Sequence, residues 1–326
     1  MIVVVSPDNE TGFRKHLEEI TYSTNHPSRL VLVKDKGSIA LQEIQSLIPD
    51  LTIIGGRNWI KRNYDILEKI PGKKGILFVS PLGQNEISQI EAINFKIFMG
   101  WLDEGKIDYM FLGSKELVNL LNREDVLYLP APFAKEKNEF VEKQFPAINS
   151  VAILHDKAIH KNTLNAIAGV ANSTKTDAFV VNGLDDIHKD LVERFGLTEK
   201  TKDVGFLSKK EYYTIIDTVK ILLHLSYSEG LCYGALEALY RGTPVLVSNA
   251  MPWFYHPLLW VSNQADHEEI GKKIDYILSL SKEDYLKLCY ECRIIAEKKI
   301  AENNLEVQRT LQVVGINAVK NESVKR

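Results

Sequence analysis

Short apolar runs recur along the whole chain, and most are followed by a segment with the period of a helix. In the first half the runs are Ile2–Val5, Leu30–Val33, Leu51–Ile54, Gly75–Val79, Tyr109–Leu112 and Val126–Leu129. Helical patterns fill gaps at Phe13–Tyr22, Glu86–Phe98 and Lys115–Asn122. The pattern begins again at Ser150–Leu154 and continues with Ala178–Val181, Val204–Leu207, Ile221–Leu225, Val245–Val247 and Leu259–Val261. Helical segments lie near Asn162–Ala171, Lys209–Val219, Glu268–Leu280 and Lys282–Glu302. A strand that is apolar on both faces must be covered on both faces. Parallel sheets between helix layers do this, so the chain reads as α/β.

A length of 326 residues suits two domains of ordinary size. Residues 1–135 form the first and 149–300 the second. Between them, 136–148 reads as a linker, because Pro130-Ala131-Pro132 precedes a charged stretch from Lys135 to Lys143. The pattern is lost from Gln308 to Arg326, and 301–326 reads as a tail, frayed or crossing back to the first domain. A net charge of −3 gives no general drive toward nucleic acid or an anionic membrane. No apolar run reaches the length of a membrane span, and the start Met1-Ile2-Val3-Val4-Val5-Ser6 lacks the basic lead of a signal peptide. Three cysteines suit a reducing compartment, and a cytoplasmic protein is expected. Cys289 and Cys292 lie in a helical pattern with no second pair to complete a zinc site, so buried thiols are expected.

The most informative stretch runs from Ser228 to Asn249. It reads as a loop, a short helix stopped by Gly242, and an apolar strand. Glu229 precedes the helix and Glu237 lies on it. A helix N-terminus presents N–H groups and a positive dipole end, which suits phosphate. Carboxylates accept hydrogen bonds from hydroxyls, which suits sugars.

This stretch resembles the Glu-x7-Glu donor-binding signature of retaining GT-B glycosyltransferases of the family 4 type. Ser226, Glu229, Gly230, Glu237, Ala238, Gly242, Pro244 and Val245 match it. Leu231 stands where the pattern has Phe, and Cys232 where it has a second Gly. The resemblance implies two Rossmann-like domains whose parallel sheets face an inter-domain cleft. It implies a hexosyltransferase that takes its sugar from a nucleotide-diphosphate sugar, UDP ahead of GDP, with no cofactor and no metal. Glu229 would contact the transferred sugar and Glu237 the ribose. The backbone of Gly230, Leu231, Cys232, Tyr233 and Gly234 would reach sugar and phosphate. The Arg and Lys that the family places after the first strand of its second domain fall on His155 and Lys161. His155 is a departure, with Lys157 as an alternative cation. Val204-Gly205-Phe206-Leu207-Ser208 resembles a strand beside which the base packs, with Ser208 where Gly is usual. Gly12 lies where the family has a glycine-rich loop near donor and acceptor. The family often has a His after a middle strand of the first domain, and Phe78–Gln84 has none.

Other features have plainer readings. Asp185-Asp186 follows Asn182-Gly183 at a helix start, where Asp is favoured without a metal. Arg57, Lys61, Arg62, Lys69, Lys73 and Lys74 make a basic stretch. It is a solvated face or an acceptor surface for an anionic glycan, lipid or modified DNA. Two rivals keep the same fold: a nucleotide-sugar epimerase or hydrolase, and a non-catalytic module that binds a nucleotide sugar or anionic polymer.

Overall fold

The computed structural model describes residues 1–8, 11–33, 37–55, 61, 64–135, 141–155, 157–251 and 253–316. The chain divides into two units. One holds Met1–Asn138 with the chain from Ile300 onward, and the other holds Glu139–Lys299.

The first unit carries strands β1 (Ile2–Pro7), β2 (Ser28–Val33), β3 (Leu51–Ile54), β4 (Lys73–Phe78), β5 (Tyr109–Leu112) and β6 (Val126–Tyr128). They form one parallel sheet in the order β2-β1-β3-β4-β5-β6. Its helices are α1 (Thr11–Ser23), α2 (Gly37–Leu47), α3 (Leu82–Ile87), α4 (Gln89–Asp103) and α5 (Lys115–Leu121). Alternation along β1 explains the continuous apolar run. Val3 and Val5 pack into one core with Phe78, Phe98 and Met110. Ile2 and Val4 pack into the opposite core with Leu17, Phe111 and Val307.

The second unit carries β7 (Ser150–Ile153), β8 (Ala178–Val181), β9 (Thr201–Asp203), β10 (Ile221–His224), β11 (Val245–Ser248) and β12 (Trp260–Val261). Their order is β12-β11-β10-β7-β8-β9, again parallel. The helices are α6 (Thr163–Asn172), α7 (Asp186–Arg194), α8 (Lys209–Thr218), α9 (Tyr233–Tyr240), α10 (His267–Leu278) and α11 (Lys282–Val313).

Two sequence expectations are corrected. Val204–Leu207 is not a strand; β9 precedes it, at Thr201-Lys202-Asp203. β9 is the edge of its sheet and is mostly exposed, so its residues are polar and the apolar signal misplaces it. Nor does the last helix stop near Glu302. α11 runs to Val313, with Ile300, Asn303, Val307, Thr310 and Leu311 buried, and Val314 buried just beyond it. Asn303 and Thr310 occupy buried positions and hide the stripe; they donate to the carbonyls of Ala131 and Tyr128. Residues 317–326 lie outside the described set.

The expected linker contains an unexpected anchor. Lys143 is buried, and its ammonium donates to the carbonyls of Ile216 (2.8 Å), Asp217 (2.9 Å) and Val219 (2.7 Å) and to Thr243 Oγ1 (2.9 Å). It thereby closes the C-terminal end of α8, where helix carbonyls lack intrahelical partners. Among the described residues, no helix is long and apolar enough to cross a membrane.

Candidate functional site

β7 and β10 are neighbours at the centre of the second sheet. The chain leaves β7 toward β8 and β9 on one side and returns to β10 on the other. Strand order reverses there, and open α/β sheets take ligands beyond the carboxyl ends of the strands at such a reversal. The loop after β7 carries His155 and a 3-10 turn, Ile159–Lys161. The loop after β10 carries Ser226 and Glu229. Asn162, left-handed at φ 55, sends its side-chain N–H groups to the carbonyls of Leu225 (3.0 Å) and Gln264 (2.7 Å). Tyr227 N donates to His160 O at 2.7 Å. These bonds tie the two loops together and set Lys161 against Glu229.

Three groups converge on Glu229 Oε1: Lys161 Nζ at 2.5 Å, His224 Nε2 at 2.8 Å and Ser226 Oγ at 2.8 Å. The Glu229 carboxyl is 8 % exposed and the Lys161 side chain 14 %. Burial alone would raise the Glu229 pKa, but the charges and hydrogen bonds of His224 and Lys161 outweigh it and hold the carboxyl well below its usual range. His224 ends β10 and is buried. Its Nδ1 lies 3.5 Å from Cys232 Sγ, and its ring meets that of His155 edge-on, with centroids 5.2 Å apart. Burial alone would lower the His224 pKa; Cys232 and Glu229 together overcome it and raise it to about 9.

His224, Glu229 and Cys232 each bring one ligand atom within 4.8 Å of the others. His224, however, turns opposite ring nitrogens to its two neighbours, whereas one metal ion takes a single imidazole nitrogen. The Lys161 ammonium also stands at the carboxylate oxygen an ion would use.

Cys232 is the N-cap position of α9, yet its side chain makes no capping bond and turns to His224 instead. Gly230, Leu231, Tyr233 and Gly234 are half-buried around this helix start. A Cβ on Gly234 would come within 2.9 Å of Tyr212 Oη, which donates to Gly234 O at 3.2 Å. A larger residue there would press on the hydroxyl of the α8 tyrosine. Glu237, buried on α9, accepts from Tyr213 Oη at 2.6 Å. Arg241 lies over the Tyr213 ring at 4.6 Å and pairs with Asp217 at 2.5 Å.

The structure therefore brings Lys161, Glu229, Cys232 and His155 together around His224. Phe206 does not join them: it sits in the turn after β9 and is 87 % exposed. Gly205, at φ 62, makes that turn and donates to Asp203 at 3.0 Å. Ser208 forms a capping box with Glu211 at the start of α8, which accounts for its presence where glycine was expected. Gly12 lies in the first turn of α1, in the other unit; Asn9 and Glu10 are outside the described residues. Lys157 donates to the carbonyls of His155 (3.1 Å) and Asn182 (2.9 Å), so it braces the loop. Asp185 caps α7 through His188 N. Of the basic stretch, Lys61 bonds Asn94, Lys69 pairs with Asp65 and Lys73 donates to Val314 O; Arg57 and Arg62 lie outside the described residues. Cys289 and Cys292 are buried, and burial pushes the Cys289 thiol up to about 11.

Sequence reasoning missed His224, Asn162 and Tyr213. His224 left a trace, since a polar residue closes the apolar run Ile221-Leu222-Leu223 just before the loop. Asn162 and Tyr213 act across sequence separations of 63 and 24 residues and left none.

Residues 130–288 match the family Glycosyl transferases group 1. The fold is that of the GT-B glycosyltransferases. Anabaena Alr3699/HepE in complex with UDP and glucose is similar, with a TM-score of 0.75, 14% identity, and 95% of this chain and 99% of that chain covered. Sucrose-phosphate synthase from Thermosynechococcus elongatus has a TM-score of 0.72, 12% identity, and coverage of 95% and 98%. A glycosyltransferase from Rickettsia africae has a TM-score of 0.65, 13% identity, and coverage of 98% and 99%. No curated protein sequence matches the chain.

Proposed function

We propose that this chain is a retaining glycosyltransferase that transfers a hexose from a nucleotide-diphosphate sugar, UDP first, without a metal. One observation carries the reading. A buried carboxylate, Glu229, is held by Lys161, His224 and Ser226 at the strand-order reversal, beside the N-terminus of α9. Matching residues 130–288 to group 1 transferases supports the class. Anabaena HepE has been solved with UDP-glucose, which supports the choice of nucleotide.

In this reading the diphosphate lies against the α9 N-terminus, where backbone N–H groups and the dipole offset its charge. Lys161 adds a point charge that grows in value as the leaving group becomes more negative. Glu229 accepts from hydroxyls of the sugar, and Glu237 with Tyr213 receives the ribose. The sugar departs through an oxocarbenium-like state, and the leaving diphosphate takes the proton of the acceptor on the same face. No side chain acts as nucleophile. The free, buried cysteines suit a cytoplasmic setting.

The test is a thermal-shift panel of UDP, GDP, ADP and their sugars, each with and without EDTA. Ligands of the native state raise the melting temperature by mass action. A shift for one nucleotide, insensitive to EDTA and lost in Glu237→Ala, is expected. Slow hydrolysis of the bound donor should release the sugar with its anomeric configuration kept, and Glu229→Ala should stop it. No shift with any nucleotide would sink the donor assignment, and undiminished hydrolysis by Glu229→Ala would sink the role of that carboxylate.

A further inference from the structure

His155, Cys232 and His224 lie far apart in sequence and meet in the fold. The His155 and His224 rings stand at 85° with centroids 5.2 Å apart, and Cys232 Sγ is 3.5 Å from His224 Nδ1. His155 and Cys232 are two of the places where the chain departs from the donor-site pattern, and His224 touches both. We propose that His224 is a positioning residue that holds a second positive charge beside Glu229, so that the cluster binds the donor diphosphate more tightly while His224 is protonated. The proposal rests on the nucleotide-sugar reading above and names a determinant of its affinity.

Hydrogen-bond chemistry assigns the first proton. An ionised carboxylate only accepts, so His224 Nε2 carries a hydrogen toward Glu229 Oε1. The charge of the ring then depends on Nδ1, which faces Cys232. The groups around the imidazole can be named. Glu229 and Ser226 face it from the loop after β10, and Cys232 from the start of α9. His155 faces it from the loop after β7, and Lys161 reaches the same carboxylate oxygen from its 3-10 turn. Cys232 and Glu229 favour the imidazolium, while Lys161 opposes it as a like charge. Burial also opposes it, yet the balance keeps His224 protonated through neutral pH, with a pKa raised to about 9. Protonation of His224 then adds a positive charge beside that of Lys161, at the same carboxylate oxygen. Cys232 is the N-cap of α9, so that charge lies at the helix end where a phosphate would be received.

The experiment is calorimetric titration of full-length protein with UDP from about pH 7 to about pH 10, each value read against His224→Gln so that titration of the ligand's own phosphate and uracil N–H cancels. Wild type should lose about tenfold in affinity relative to that variant across this range, a modest value for a nearby buried charge. His224→Gln keeps a donor for Glu229 but no charge. It should bind about tenfold more weakly than wild type at the lower pH, and that difference should vanish toward the upper end of the range. Cys232→Ala should move the wild-type transition to lower pH, because a partner of Nδ1 is gone. A structural role alone would weaken binding in His224→Gln by the same factor at every pH. Imidazole nitrogen spectra of ligand-free wild type give a second readout that needs no variant. His224 should have both nitrogens protonated at neutral pH, and a neutral ring there would overturn the proposal. If wild type binds UDP with the same pH profile as His224→Gln, the proposal falls and the donor reading stands. If wild type binds none of UDP, GDP and ADP at any pH, both fall.

Discussion

Lys143→Met tests whether a lysine in the expected linker is a buried anchor. The ammonium has four acceptors: the carbonyls of Ile216, Asp217 and Val219, and Thr243 Oγ1. Thr243 Oγ1 also donates to Ile216 O at 2.7 Å, so that carbonyl keeps a partner in the variant. The donor lost to Asp217 O and Val219 O costs about 1–3 kcal/mol for each buried acceptor. Against this, methionine removes the cost of burying a charge. Burial lowers the Lys143 pKa from 10.5 to about 8. A drop of that size corresponds to about 3 kcal/mol. The two effects partly cancel at neutral pH, where the variant should lie between about 1 kcal/mol more stable and about 3 kcal/mol less stable than wild type. The sign of the pH dependence is the sharper test. Between pH 8 and 10.5 the unfolded chain holds the proton that the folded chain has given up. The wild type therefore gains stability as pH rises through this window, by up to about 3 kcal/mol from this residue. The variant lacks that gain, so its stability relative to wild type should fall as pH rises. Urea unfolding of both proteins, side by side at about pH 7 and about pH 10, gives the difference with other titrations cancelled. Hydrogen exchange of Lys209–Thr218 localises it to α8. A variant whose stability relative to wild type rises with pH, or equals it at both values, would refute the account.

Two further outcomes follow from the packing. Burial lowers the His16 pKa from 6.5 to about 3, against a hydrogen bond to the Pro130 backbone that works the other way. The unfolded chain therefore takes up a proton first, and stability should fall as pH drops below 6.5, by about 1.4 kcal/mol per unit until the folded pKa is reached. Thermal unfolding between about pH 4 and about pH 7 should show this fall blunted in His16→Gln; equal slopes would remove His16 as its cause. A Cβ on Gly169 would come within 2.2 Å of Ile270 Cγ2, so Gly169→Ala must push α6 from α10. We expect a loss of at least about 1–3 kcal/mol by thermal melting, with weaker UDP binding because α6 starts right after Asn162. An unchanged melting temperature would mean that the two helices separate freely.

Much of the fold is legible along the chain, because covering a parallel strand on both faces demands a continuous apolar run. β3, β5 and β8 fall where those runs end and begin. The edge strand β9 escapes, since one side of it meets solvent and its residues are polar. The last turns of α11 escape because Asn303 and Thr310 sit where apolar residues were expected; their side chains reach backbone carbonyls, so polar groups could be buried there. In the candidate site, the sequence located the loop, the short helix and its two glutamates, because turn and helix preferences act over a few residues.

Tertiary structure alone decided the electrostatics. A lysine in a charged stretch reads as solvated, and only the fold shows that Lys143 is enclosed by the end of α8 and by Thr243. His155 and Lys161 come from the loop after β7, and His224, Glu229 and Cys232 from the end of β10 through the start of α9, which the strand order brings side by side. Local preference determines which residues become strands and turns. The charge a buried group carries depends instead on how deeply it is buried and on which partners face it, and those partners are remote in sequence.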